Sequence, residues 1–197
     1  MVKLRSMDKQ KLRQALLVKR VALTAAQVQQ ASAAICQHLA AWPTFQNART
    51  VMAYLAFNNE VSLQELIDAH PEKVWVLPRT LPAGRLTIHR YQPERLTLHR
   101  WGILQPAADA PLAPLAEIEL VLAPGVGFDK NGGRLGFGGG YYDRLLPKLN
   151  AISVGISHQE SCVPAVPCND HDCQMDWLAL PDGLVKPTRL EKTPTIR

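Results

Sequence analysis

The residues best suited to bind an anion lie in a glycine-rich segment between residues 121 and 144. Eight of the twelve glycines in the chain fall between Gly125 and Gly140. Glycine lets backbone N–H groups approach a ligand closely, and the N-terminus of a following helix adds partial positive charge. The segment therefore favours phosphate, although a glycine run can also be only a mobile loop. Neither standard motif fits, because no Gly-Lys-Ser/Thr completes a P-loop and Tyr141 replaces the third glycine of the dinucleotide fingerprint.

Charged side chains in and after this segment could complete a site for a phosphate and a metal ion. Arg134 is a candidate phosphate clamp beside the glycines. Asp143, in the first turn of the next predicted helix, and Asp172, in Asn169-Asp-His-Asp172, are candidate ligands of Mg²⁺, which commonly takes one or two carboxylates. The spacing alone does not show that the two carboxylates meet, and Asp143 could instead cap its helix.

A basic stripe runs along the predicted N-terminal helix. At about 100° per residue, Lys9, Arg13 and Arg20 lie roughly 60° round the helix from a stripe of leucines. The cations therefore border the buried face. They could reach into a cleft, or their stems could cover the core while their charges stay in water.

The elements that position these residues alternate between strands and helices. Residues 8–40 are predicted to be helical, and the second helix opens with a capping box of Thr24 and Gln27. A later helix is predicted to open with a capping box of Ser62 and Glu65, and another spans 141–149. This order predicts an α/β protein with a three-layer, Rossmann-like fold: a mostly parallel central sheet with helices on both faces. The second helix is expected to bury Val28, Ala31, Ile35 and Leu39, and strands are predicted at 51–57, 73–77, 85–91, 96–99, 118–123, 151–157 and 177–180.

Composition narrows the class of protein. The chain has 197 residues, 47% of them apolar and 20% charged, which predicts one catalytic α/β domain over residues 1–185 and a loose tail over 186–197. No apolar run is long enough to cross a bilayer and none follows the basic N-terminus as in a signal peptide, so we expect a cytoplasmic protein without a membrane partner. A net charge of +5 favours anionic partners. Nucleic acid is not expected, because the aromatic residues do not alternate with Arg or Lys as a stacking platform would.

The cysteines and histidines suggest no catalytic centre. Cys36, Cys162, Cys168 and Cys173 form no C-x-x-C pair, so reduced thiols are expected. Cys168, His171 and Cys173 could hold zinc, but a structural zinc site needs four ligands at more regular spacing. No Ser/His/Asp or Cys/His arrangement is evident, and we expect no covalent protein nucleophile.

Several motifs together resemble the 5-formyltetrahydrofolate cyclo-ligase family, also called methenyltetrahydrofolate synthetases. Its signature is similar to Pro124-Gly-Val-Gly-Phe-Asp129 followed by Gly133-Arg-Leu-Gly-Phe-Gly-Gly-Gly-Tyr-Tyr-Asp143. The long glycine-tyrosine-aspartate run is the specific part, and the resemblance extends from about residue 8 to residue 180. The remaining matches, in the expected order, are Lys9-x-x-x-Arg13, Tyr54-Leu-Ala-Phe-x-x-Glu60, Leu77-Pro-Arg79, Trp101-Gly-Ile and Val166-Pro-x-Asn-x-x-Asp172.

The resemblance implies roles for residues at matching positions. Leu55 and Glu60 would contact the folate, with Glu60 reading the donor edge of the pterin ring, and residues 137–141 would lie against the same substrate. Asp143 and Asp172 would hold Mg²⁺. Some members carry basic side chains where this chain has Phe137 and Gly139, so backbone N–H groups must supply that charge here. The implied ATP contacts are Lys9, Arg13, Arg134, Leu135, Gly136, Phe137, Gly138, Gly139, Gly140, Tyr141 and Tyr142.

The implied reaction is the ATP- and Mg²⁺-dependent closure of 5-formyltetrahydrofolate to 5,10-methenyltetrahydrofolate, with release of ADP and phosphate. The formyl oxygen would first take the γ-phosphoryl group, after which N10 attacks the activated carbon. Folate and ATP would be the partners of a monomeric protein. The alternative is a phosphate-binding α/β protein of the sugar-phosphate isomerase or CoA-transferase type, which would keep the glycine turn but have no use for Glu60 or the basic stripe.

Overall fold

A seven-stranded sheet forms the centre of the structure, a computed structural model that describes residues 2–188, with side chains from residue 9 onward. Five helices and twelve strands are described. The helices are α1 (Val2–Val21), α2 (Ala25–Ala40), α3 (Pro43–Asn47), α4 (Gln64–Ala69) and α5 (Tyr141–Leu145). The strands are β1 (Thr50–Met52), β2 (Val74–Leu81), β3 (Arg85–Arg90), β4 (Leu96–Leu98), β5 (Leu104–Pro106), β6 (Leu120–Pro124), β7 (Gly127–Asp129), β8 (Arg134–Leu135), β9 (Ile152–Ile156), β10 (Cys162–Val163), β11 (Trp177–Leu180) and β12 (Gly183–Val185).

The strand order places a crevice at one edge of the sheet. The order is β12-β11-β9-β6-β1-β2-β3, in which β11, β9, β6, β1 and β2 are parallel and the two outer strands are antiparallel. The chain moves from β1 to β2 in one direction and then fills β6, β9 and β11 in the other. Such a reversal opens a crevice at the carboxyl ends of the strands, where α/β proteins bind ligands.

Helices cover both faces of the sheet, as predicted. Val51 and Leu122 pack in one core with α2, α3 and α4, whereas their strand neighbours Met52 and Val121 pack in a second core with Leu145 of α5. This alternation follows from the two-residue period of a strand. The mostly parallel, three-layer α/β architecture is therefore confirmed.

A small second sheet carries the glycine-rich segment. It has the order β10-β7-β8, and its core of Leu16, Val126 and Leu135 packs α1 against it. The buried carboxylate of Asp129 fixes the turn between β7 and β8, because it accepts the N–H groups of Gly133 (3.0 Å) and Val166 (2.7 Å). The segment is thus anchored on both sides of its glycines.

The helix boundaries agree in part with the sequence. The capping box of Thr24 and Gln27 is confirmed, with both reciprocal hydrogen bonds present. In α2, Ile35 and Leu39 are buried as predicted, but Val28 and Ala31 are only half-buried. The predicted helix 141–149 ends at Leu145 and continues as a 3₁₀ turn over Leu146–Lys148, because Pro147 has no N–H to continue an α-helix.

Two other predictions are wrong. The capping box of Ser62 and Glu65 does not form, and α4 begins at Gln64 with Leu63 as its N-cap. Ser62 is held outside the helix because its N–H donates to Ser32 Oγ (2.9 Å). The strand predicted over 51–57 ends at Met52, after which the chain leaves the sheet.

The hairpin region and the chain end complete the comparison. Strand β3 pairs with β2, and β4 pairs with β5, so the strands predicted at 85–91 and 96–99 belong to different sheets. Of the predicted tail at 186–197, residues 189–197 lie outside the described residues, and the Thr188 N–H donates to Lys130 O (3.2 Å). None of the helices in the described range combines the length and apolar character needed to cross a membrane.

Candidate functional site

A cavity of about 770 Å³ opens at the carboxyl ends of β1 and β6. Its size is within the usual range for small-molecule sites. Every predicted site residue lines it, although the structure does not test what each one binds. The lining includes Lys9, Arg13, Leu55, Glu60, Arg134, Leu135, Gly136, Phe137, Gly138, Gly139, Gly140, Tyr141, Tyr142, Asp143 and Asp172.

The glycine loop, residues 136–140, forms one wall and connects β8 to α5. Arg13 holds it from α1, since its Nε donates to the Gly136 carbonyl oxygen (2.7 Å). Gly138 has a φ of +103°, which side chains rarely adopt, and the guanidinium of Arg13 lies 3.5 Å from where a Cβ would be. The loop therefore depends on glycine at this position and presents its backbone beside a cation.

Arg144 joins this loop to the tip of the β2–β3 hairpin. Its Nη1 donates to the carbonyl oxygens of Gly139 (2.6 Å) and Gly84 (3.2 Å). A Cβ on Gly84 would collide with Nη1 of Arg144. The hairpin tip and the glycine loop are thus connected through one guanidinium.

Each candidate metal-binding carboxylate is paired with a cation. Arg134 Nη2 donates to Asp143 Oδ1 (2.9 Å), and Lys9 Nζ forms an ion pair with Asp172 Oδ2. Asp143 Oδ1 also accepts the N–H of Cys173 (3.3 Å), the residue after Asp172. This contact brings the two carboxylates to the same end of the cavity. No side-chain hydrogen bond caps α5, so the structure does not support the alternative that Asp143 is a helix cap.

The two carboxylates fit Mg²⁺ better than they fit zinc. No group of three or more His, Cys, Asp or Glu side chains that could hold a metal ion occurs in the described part of the chain. Magnesium does not require such a group, because it usually combines one or two carboxylates with water and phosphate oxygens. The existing contacts use Oδ1 of Asp143 and Oδ2 of Asp172 and lie beside the glycine loop.

Glu60 lies at the other end of the cavity, on a turn after β1. It is 8% exposed, its Oε2 accepts the N–H of Phe57 (3.1 Å), and Arg20 Nη1 lies 3.6 Å from its Oε1. Burial raises the pKa of the Glu60 carboxyl to about 7, against the lowering effects of Arg20 and of the Phe57 N–H. The carboxylate is available to accept hydrogen bonds when it is ionised.

Other lining residues were missed by reasoning from the residues, because their types carry no chemical signal. Tyr54 and Pro124 lie at the carboxyl ends of the two central strands, and Trp101 and Leu104 come from the hairpin region. Trp101 and Phe137 are about half exposed, at 47% and 51%. The position of a residue just after a buried strand was the only available signal for Tyr54 and Pro124.

Comparisons with known proteins agree on one family. The model of the 5-formyltetrahydrofolate cyclo-ligase family matches residues 5–181. The 5-formyltetrahydrofolate cyclo-ligase of Escherichia coli K12 is 31% identical over 176 residues, covering 83% of this chain and 94% of that protein. The enzyme of the same name from Haemophilus influenzae is 33% identical, covering 78% and 87%. The NMR structure of Aquifex aeolicus 5,10-methenyltetrahydrofolate synthetase superposes with a TM-score of 0.80 at 28% identity, covering 96% of each chain.

Proposed function

Since the chain belongs to the 5-formyltetrahydrofolate cyclo-ligase family, we propose that it converts 5-formyltetrahydrofolate to 5,10-methenyltetrahydrofolate with ATP and Mg²⁺. Membership makes it a ligase of folate metabolism. The use of ATP and Mg²⁺, the mechanism and the roles of individual residues are the content of the proposal. The observation that carries it is the single cavity, which joins a glycine loop flanked by cations to a buried carboxylate.

The proposed reaction has two steps that balance without a protein nucleophile. The oxygen of the N5-formyl group attacks the γ-phosphorus of ATP, and ADP leaves. N10 then attacks the formyl carbon and loses its proton to solvent, and phosphate leaves with the former formyl oxygen. The products are the methenyl compound, ADP and phosphate. Such phosphoryl transfer asks the protein mainly for positioning and charge neutralisation.

The cations around the glycine loop supply that neutralisation. Arg13 lies against the loop, and Lys9 and Arg134 hold charges that now face carboxylates. Phosphate oxygens would take over these two cations. The carboxylates of Asp143 and Asp172 would then be free to hold Mg²⁺, which would neutralise further phosphate charge.

The folate would occupy the end of the cavity that contains Glu60. Leu55 and Phe137 provide apolar surface there, and the ionised Glu60 carboxylate would accept hydrogen bonds from the donor edge of the pterin. A sugar-phosphate isomerase or CoA-transferase would need no such carboxylate. The proposed partners are these small molecules, and we keep as predictions that the protein is a cytoplasmic monomer.

One assay tests the proposal. Purified protein is mixed with 5-formyltetrahydrofolate and MgATP, and the methenyl chromophore is followed by absorbance. We expect product that depends on ATP and disappears when the divalent ion is chelated. Absence of the chromophore would overturn the proposed reaction, and formation that ignores ATP or chelator would overturn the proposed mechanism.

A further inference from the structure

Arg20 is a buried cation beside the cavity that does not line it. It lies in the last turn of α1 and is 2% exposed, in contrast to the exposed Lys19 before it. Its Nη1 lies 3.6 Å from Glu60 Oε1 and donates to the Gly125 carbonyl oxygen (3.3 Å). Arg20 therefore touches Glu60 from behind, on the side away from the ligand space.

The burial of Arg20 is not explained by stability. Its Nε and Nη2 are buried without a hydrogen-bond partner among the described residues. Buried donors without partners destabilise a fold, and a buried ion pair contributes little in return for the hydration it loses. An arrangement that lowers stability is expected where function requires it.

The end of α1 is fixed to the turn that carries Glu60. Asn59 Nδ2 donates to the carbonyl oxygens of Arg20 (3.2 Å) and Leu23 (3.0 Å), which caps the end of the helix. Asn58 and Asn59 both have positive φ angles, +55° and +59°, so the turn is held in an uncommon conformation. His158 Nε2 lies 2.8 Å from the Asn59 carbonyl oxygen and holds the turn from the far side. The geometry of Arg20 and Glu60 is thus set by the backbone around both.

We propose that Arg20 is a positioning residue that keeps the Glu60 carboxylate ionised and directed into the cavity, and so determines the affinity for the folate. This inference rests on the proposed function of the cavity. Arg20 acts through Glu60 and does not touch the substrate.

Arg20 is the cation that faces Glu60 among the described titratable groups around it. The others are Tyr54 after β1, Tyr142 of α5 and His158 after β9, which also faces Arg20. Burial raises the pKa of both tyrosines and lowers the pKa of His158, so all three favour their neutral forms. Without Arg20, burial would leave the Glu60 carboxyl protonated at neutral pH, and the acceptor for the pterin donors would be lost.

The first test is Arg20→Gln with Lys19→Gln as the matched control. Both changes remove one positive charge from the same turn of α1. We expect Arg20→Gln to raise KM for 5-formyltetrahydrofolate roughly tenfold or more at neutral pH, with KM for ATP and kcat within about twofold. The rise in kcat/KM for folate with pH should move to higher pH, and Arg20→Lys should restore part of the affinity. Lys19→Gln should behave as wild type.

A double-mutant cycle separates an effect through Glu60 from a general one. If Arg20 acts through Glu60, then Arg20→Gln should add nothing to KM for folate in a Glu60→Gln background. The double variant buries no charge, so it keeps the test available if Arg20→Gln alone does not fold. Multiplying effects, or an equal rise of both KM values, would overturn the inference.

A measurement without substrate keeps this inference separate from the proposed reaction. In ligand-free protein labelled with ¹³C at glutamate carboxyls, the Glu60 resonance is the one that Glu60→Gln lacks. We expect its titration to move to higher pH in Arg20→Gln, even if the protein forms no methenyl product. An unchanged titration would refute the role of Arg20 while leaving the cyclo-ligase proposal intact.

Discussion

Substitution of Gly138 tests whether the shape of the glycine loop is needed for nucleotide binding. Gly138 has a φ of +103°, and a Cβ there would meet the Arg13 guanidinium at 3.5 Å, an ordinary contact distance. Gly138→Ala therefore introduces no collision. Its effect must come from the backbone, because a residue with a side chain rarely adopts this φ.

The size of the effect follows from the cost of that conformation. Holding a non-glycine residue in such a region costs about 1–3 kcal/mol. If the loop escapes the strain by changing shape, the conformation seen here becomes roughly 5- to 150-fold less populated. The apparent affinity for ATP falls by the same factor, because only the original conformation places the N–H groups and Arg13 correctly.

The assay compares Gly138→Ala with Gly183→Ala. Gly183 also has a positive φ, +139°, and nothing lies within 4 Å of where its Cβ would be. It lies at the start of β12, an outer strand, and does not line the cavity. Both variants carry backbone strain, so both should melt at lower temperature. Only Gly138→Ala should raise KM for ATP in the coupled formation of the methenyl product.

Two results would refute this reasoning. Wild-type KM for ATP in Gly138→Ala would show that the loop shape at this position does not matter for the nucleotide. An equal loss of activity in Gly183→Ala would show that the change acts through overall stability.

Three further predictions concern the ends of the cavity. Asp143→Asn should lower turnover, and excess Mg²⁺ should restore part of it, whereas the exposed Asp170→Asn of the same loop should match wild type; wild-type turnover in Asp143→Asn would remove it from the metal site. Arg13→Ala should raise KM for ATP roughly tenfold, with little change in KM for folate; equal changes would argue against a nucleotide role. In wild type, kcat/KM for folate at saturating ATP should rise with pH through about 7 and then level off, because Glu60 must lose its proton to accept hydrogen bonds; a profile unchanged by Glu60→Gln would contradict this.

Local patterns predicted the fold where burial is continuous. Strand β11 has the predicted bounds of Trp177–Leu180, and β6 and β9 lie within two residues of theirs, because strands buried on both faces form unbroken apolar runs. The same pattern misled at 51–57. Tyr54 and Leu55 are apolar because they form the cavity wall and its border with the core, and periodicity does not distinguish this from a strand.

The candidate site shows a similar division. The glycine loop and Asp143 are contiguous in sequence, so a motif could locate them. The ion pair of Lys9 and Asp172 joins residues 163 positions apart and required the packing of α1 against the small sheet. Helical spacing placed Arg20 at the border of the buried face but gave no depth, so its complete burial beside Glu60 was visible only in the structure.

The contact of Arg144 with Gly84 also links two positions in evolutionary descent. The guanidinium occupies the volume that a Cβ at position 84 would need. A mutation that adds a side chain at 84 is therefore tolerated only in a lineage that has already lost the arginine at 144, whereas loss of the arginine can come first and cost only its two hydrogen bonds to Gly84 and Gly139. The two positions are expected to covary among relatives, with the change at 144 as the earlier event.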